Sequence, residues 1–143
     1  MSRKAIKTVA VSFLVLSLLT ACQTNSRDQA LATSESQVAL RSMQSRAFDT
    51  TDKQKTLRTV IATLQDLGFV IDKADATLGT VSGTKLNGYA MRMTVSVRDR
   101  GTTQIIVRAN AQYNITAIED PLPYQQFFVA LEKAMFLTAQ QVD

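Results

Sequence analysis

The chain has 143 residues, of which 45% are hydrophobic, 20% charged and 6% aromatic. That is one domain of ordinary size, or a smaller one with a tail, and not the composition of a disordered or low-complexity protein. It contains no histidine and one cysteine, which excludes Ser-His-Asp and Cys-His catalysis, His-ligated zinc or copper, Cys₄ clusters and an internal disulfide.

The first segment carries most of the formal charge of +4. Arg3, Lys4 and Lys7 account for three of the sixteen basic residues, and none of the twelve acidic residues lies among residues 1–21, so the remainder stands at +1. A basic pI of about 9.5 is therefore no argument for nucleic-acid binding, which needs a clustered basic surface. Val9 to Leu19 is an almost wholly apolar stretch. As a helix it would span about 16 Å, roughly half a bilayer core, which suits a secretory signal and not a transmembrane anchor. It ends in Leu19-Thr20-Ala21-Cys22. This resembles the lipobox of bacterial lipoproteins: an apolar residue, two small ones, then cysteine. The resemblance implies cleavage before Cys22, a thioether-linked diacylglycerol on its sulfur and acylation of the new amine. Two or more acyl chains give stable anchoring where one does not. Gln23 stands where enterobacterial lipoproteins retained in the inner membrane carry aspartate. The resemblance thus implies the outer membrane, with the protein facing the periplasm.

Residues 23–40 are rich in Gln, Ser, Thr and Ala, sustain no apolar period and read as a flexible tether with an r.m.s. span of about 23 Å. A helix over Asp28–Leu40 has only weak sequence support. The organisation expected is 1–21 signal peptide, 22–40 lipidated cysteine and tether, and 41–143 a single globular domain.

The body opens on an expected strand, Ser42–Phe48. Thr51 and Gln54 have capping-box spacing. Leu57, Val60, Ile61, Leu64 and Leu67 then form one apolar stripe at the helical period, and Gly68 suits a left-handed residue past the helix end. A short strand, Phe69–Lys73, follows. Asn87-Gly88 between two β-rich runs is a strong hairpin signal; a two-residue loop would pair Leu86 with Tyr89, Thr84 with Met91, Ser82 with Met93 and Thr80 with Val95. Asp99-Arg100-Gly101 is a second turn. A three-residue loop with Gly101 left-handed would pair Arg98 with Thr102, Val95 with Ile105, Met93 with Val107 and Met91 with Ala109. It gathers the apolar positions on one face, whereas a one-residue slip would reverse every side chain. The other face is then polar: Lys85, Arg92, Thr94, Arg98, Gln104, Arg108, Asn110 and Gln112. A sheet wet on one side and covered on the other is antiparallel. The cover is the first helix and a second over Pro121–Gln140, whose inward stripe is Tyr124, Phe127, Phe128, Leu131, Ala134 and Met135. The fold expected is α+β, an antiparallel sheet of about five strands with two helices on one face, in the order β-α-β-β-β-β-α.

The stretch from Leu64 through Gly68-Phe69-Val70-Ile71-Asp72 to Gly79-Thr80-Val81 resembles helix-grip domains of the BamC (NlpB) type, which are also lipid-anchored envelope proteins. The chain resembles equally the small envelope lipoproteins with no assigned role.

The expected register sets Arg92 opposite Arg108, with Lys85 and Arg98 nearby. Like charges directly opposite destabilise a sheet, so this cluster is a candidate surface for an acidic partner, a lipid headgroup or a glycan phosphate; its bland reading is a solvated face paired with carboxylates elsewhere. Val129 and Phe136, seven apart and off the inward stripe, are a candidate apolar line for a partner, or else part of a wide core face. Phe48 and Val70 raise the same question. Asp72 and Asp75 read as turn formers, because no calcium-loop pattern surrounds them. Asn114-Ile115-Thr116 matches a glycosylation sequon by chance. No metal site, cofactor or catalytic residue is indicated, and the chain reads as not an enzyme. The function expected is that of a membrane-anchored envelope lipoprotein acting as an accessory or docking subunit of an assembly, efflux or secretion complex. The second reading is a small-ligand or lipid carrier with a cavity between sheet and last helix, lined by Tyr89, Met91, Met93, Phe127 and Met135.

Overall fold

A computed structural model describes residues 36–142; the expected signal segment, the expected lipidation site Cys22 and the expected tether as far as residue 35 lie outside the described residues. The fold is α+β, an antiparallel seven-stranded sheet with helices.

Residues 36–44 are helical (α1) and run straight into β1, Ser45–Phe48. The expected strand from Ser42 therefore starts three residues late, and residues 36–40 of the expected tether are helix. Side chains explain this turn of helix. Ser42 Oγ donates to the Ala39 carbonyl at 2.9 Å. The Arg46 guanidinium donates to the Ser42 and Ser45 carbonyls at 2.7 and 2.8 Å, satisfying acceptors at a helix end.

The next helix, α2, is Lys53–Asp66. Its cap is Asp52, whose carboxylate accepts from the Lys55 amide at 2.8 Å; the expected box on Thr51 and Gln54 does not form, and an aspartate at the N-cap is an equally good acceptor for that orphan N–H. Leu57, Val60 and Leu64 are buried, with Ile61 and Leu67 at the margin. Thr56 and Thr63 are buried beside them. Gly68 has φ +86°. Its amide donates to Gln65 O, and that of Phe69 to Leu64 O, both at 2.9 Å, the two bonds of a Schellman ending.

The remaining strands are β2 Val70–Asp75, β3 Thr80–Asn87, β4 Tyr89–Arg100, β5 Gln104–Tyr113, β6 Thr116–Ala117 and β7 Gln140–Gln141, with α3, Leu122–Met135, between the last two. Sheet order is β2-β3-β4-β5-β1-β7, with β6 on the end of β5. The two-residue strands β6 and β7 carry no sequence signal. The edge strand β2 is bulged, its register shifting between Ile71 and Lys73.

Both hairpins differ in register from expectation. β3 pairs Val81 with Val95, Gly83 with Met93 and Lys85 with Met91, one residue off the two-residue loop. The reason is burial: Val81 and Val95 are both solvent-free, and the expected register would have set Ser82 against Met93. β4 pairs Val97 with Val107, Val95 with Ala109 and Met93 with Ala111, four residues off. Asp99 and Arg100 stay in the strand, and the turn is Gly101-Thr102-Thr103. A slip of four keeps every side chain on its face, so the inward set Met93, Val95, Val97, Ile105, Val107, Ala109 and Ala111 is the buried set.

α3 stops at Met135, five residues short of the expected end, because Phe136 turns left-handed at φ 56°. Tyr124, Phe127, Phe128 and Leu131 are buried and Met135 packs at the core margin; Ala134, expected inward, is exposed. Tyr124 is wholly buried, and its hydroxyl donates to Ile118 O at 2.7 Å and accepts from Ala111 N at 3.2 Å and Gln44 Nε2 at 3.3 Å. One phenol thus joins α1, β5, the segment after β6, and α3. Of the residues expected to line a carrier cavity, Met93 and Phe127 are sealed in this core.

Candidate functional site

The expected arginine cluster comes apart in the observed register. Arg92 lies opposite Gln112, and Arg108 lies opposite Ser96 and Ser45. The two are offset by four residues along the strands, about 13 Å. Arg92 is answered by a carboxylate: its Nε lies 3.6 Å from Asp72 Oδ2, which also accepts from Thr84 Oγ1 at 2.6 Å. Asp72 is thus a strand residue neutralising Arg92, while Asp75 is the expected turn former, accepting from the Leu78 amide at 2.8 Å. Arg98 and Arg108 are diagonal neighbours, Arg98 facing Ile106, and among the described residues neither has a carboxylate within 4.0 Å.

Lys85 belongs to the other face. The one-residue shift of β3 puts it on the helix side with Val81 and Gly83. There its ammonium donates to Leu67 O at 2.8 Å and lies 5.9 Å from the Phe69 ring centre. A cation on the last carbonyls of a helix offsets the negative end of its dipole. Lys85 is therefore a structural clasp on α2, not part of the polar face.

The apolar candidates divide. Phe48 is buried, while Val70 is 72% exposed. Val129 is half-exposed and Phe136 is 92% exposed, on and just beyond the outer side of α3.

The largest set of uncovered apolar side chains includes Tyr89 and Met91 of the expected carrier cavity, but it lies at the hairpin end and not beneath the helix. Leu86 and Tyr89, 82% and 75% exposed, flank the β3–β4 turn; Ile115, 95% exposed, tips the β5–β6 turn beside Tyr113; and Leu122, half-exposed, starts α3. The Tyr89 and Tyr113 rings meet edge to face at 6.3 Å, a favoured arrangement of their quadrupoles. With Met91 and Leu122 they line a groove of about 280 Å³ that also takes in Lys85 and Asp120. Scattered exposed apolar residues are ordinary, but several together beside a groove make it the candidate site of this face. The signal lay in the turns: Leu86 and Tyr89 bracket Asn87-Gly88, and Tyr113 and Ile115 bracket Asn114, which is left-handed at φ 52°. Loop tips are ordinarily polar.

Among the described residues no group of three or more metal-ligating side chains occurs, and no helix is long and apolar enough to cross a membrane. No protein-family model matches the chain, and no curated protein matches it.

Proposed function

We propose that this chain is a lipid-anchored protein of the bacterial envelope, most consistent with the outer membrane and its periplasmic side, whose body docks a partner protein and performs no chemistry of its own. Acyl chains on Cys22 would fix it to the bilayer, and the following residues would set its reach. Confinement to one surface raises effective concentration, so a small interface suffices.

The observation that supports docking is the groove at the hairpin end, lined by Tyr89, Met91, Tyr113 and Leu122, with Leu86 and Ile115 exposed at the two neighbouring turns. Tyrosine pairs are rigid, amphipathic contact residues of the kind enriched at interface centres. The partner implied presents an apolar segment to this groove, flanked by charges that meet Lys85 and Asp120. The lipobox and the absence of histidine support anchoring and a non-catalytic role.

The test is photo-crosslinking in cells, with a benzophenone amino acid at Tyr89 and, as control, at Thr94 on the polar face. A discrete adduct from position 89 alone, lost in L122D while the melting temperature of L122D is unchanged, is expected, because Leu122 lines the groove and is half-exposed. Equal labelling from both positions, or none from either, would overturn the docking surface. Incorporation of labelled fatty acid, abolished by C22S, checks the anchor separately.

A further inference from the structure

α1 brings one of its faces to the outer side of the sheet. Val38, Arg41, Ser42 and Ser45 recur at i, i+3, i+4 and i+7, and with Arg108 and Val142 they line a pocket of about 330 Å³. Arg108 reaches it from β5 and is oriented there, its Nε donating to the buried Ser45 Oγ at 3.2 Å. Among the described residues no carboxylate lines the pocket. Among the described residues neither Arg41 nor Arg108 has a carboxylate within 4.0 Å. The negative end of α1 does not oppose an anion, because Arg46 already covers the Ser42 and Ser45 carbonyls from the far side. Two guanidiniums beside two hydroxyls, closed by two valines, make a site with a charged floor and an apolar wall. Guanidinium forks match phosphoryl oxygens in geometry as well as charge. The apolar wall is superfluous for a free inorganic ion and fits the glycerol of a lipid.

We propose that this pocket takes the phosphoryl headgroup of an anionic phospholipid. The proposal deepens the lipid-anchored reading, for fifteen residues stand between Cys22 and Val38, a reach of at most about 55 Å, and a second, non-covalent hold would lay the body against the same bilayer. A basic side chain at an anionic surface contributes about fivefold to binding, and two therefore about thirtyfold.

The experiment uses the chain begun at residue 22 and carrying C22S, so that acyl chains play no part. Flotation with phosphatidylglycerol vesicles is compared with flotation on phosphatidylcholine vesicles. Association with the anionic vesicles alone is expected, weakened about thirtyfold in R41Q/R108Q and little changed in K73Q/R100Q, which removes as much charge elsewhere on the body. Equal flotation on both vesicles, or equal weakening by both double variants, would overturn the pocket. So would displacement by millimolar inorganic phosphate at unchanged ionic strength, which would assign it to the free ion. Fatty-acid labelling of the unaltered protein is read independently: absence of label with intact flotation would sink the anchor and leave this site standing.

Discussion

Tyr124 shows how far one side chain can be read. Its place on the inward stripe follows from helical spacing, and it is buried as that spacing predicts. Its hydroxyl chemistry does not follow from spacing, because the partners come from residues 44, 111 and 118, the farthest 80 positions away. Replacing it by phenylalanine keeps the ring and strips the hydroxyl, leaving the Ile118 carbonyl and Ala111 amide without that partner in a dry site. Y124F should lose about 2–3 kcal/mol, read as a lower urea midpoint with unchanged slope. A loss under about 0.5 kcal/mol would mean that water or backbone shifts replace the network. Arg46 is a comparable case. Nothing in its surroundings in the chain singles it out, yet its guanidinium closes α1 and lies 5.1 Å from the Phe128 ring centre.

Among the elements, the sheet separates what alternation reveals from what it conceals. Period two reports which face a side chain takes, and nothing about an even slip. The β4–β5 pairing can be displaced by four residues without moving one apolar residue outward, so the buried set was legible and the register was not. An odd slip is another matter. Asn87-Gly88 suggested a two-residue loop, but Val81 and Gly83 face inward only in the register one residue away, and that single step carries Lys85 from the wet face to the α2 C-terminus. Helix ends were legible where local chemistry dominates, as at Gly68, and not where a non-glycine residue turns left-handed, as at Phe136. The turn between β2 and β3 gives a sharp test. Gly79 has φ +64°, its carbonyl accepts from Val97 N at 2.8 Å, and an added Cβ would sit 2.5 Å from Val97 O. A methyl group cannot be seated there without prising β3 from β4. G79A should cost about 2–4 kcal/mol, from backbone strain plus the clash. The check is thermal unfolding, and a melting temperature within 2 °C of the parent, about half a kcal/mol, would show that the turn yields.

For the molecule as a whole, the sheet concentrates its chemistry at three separate places. The helix-covered side holds the core, the hairpin end holds the uncovered apolar groove, and the outer side carries the basic pocket beside Ser45. Tyr89 and Met91 were legible as lining beside the last helix, but the exposure of Leu86 and Tyr89 was not, because apolar residues beside Asn-Gly look like strand residues awaiting cover, and only the fold shows that they stay uncovered. The sheet also ends in two edges of different kinds. The β7 edge is two residues long, too short to recruit a neighbour. The β2 edge is longer, and apart from Val70 it is guarded by Asp72, Lys73 and Asp75 and by the bulge at Asp72. Crowded edges of this length can zip together, and charge with local twist is what prevents it. Molecules held on a two-dimensional film, as the proposed anchor would hold them, would meet edge to edge far more often than in solution, and the irregularity at Asp72 would then keep neighbours apart. Excising Asp72 should straighten that border, and multi-angle light scattering should then register growing particles as protein is concentrated, where the parent keeps one mass.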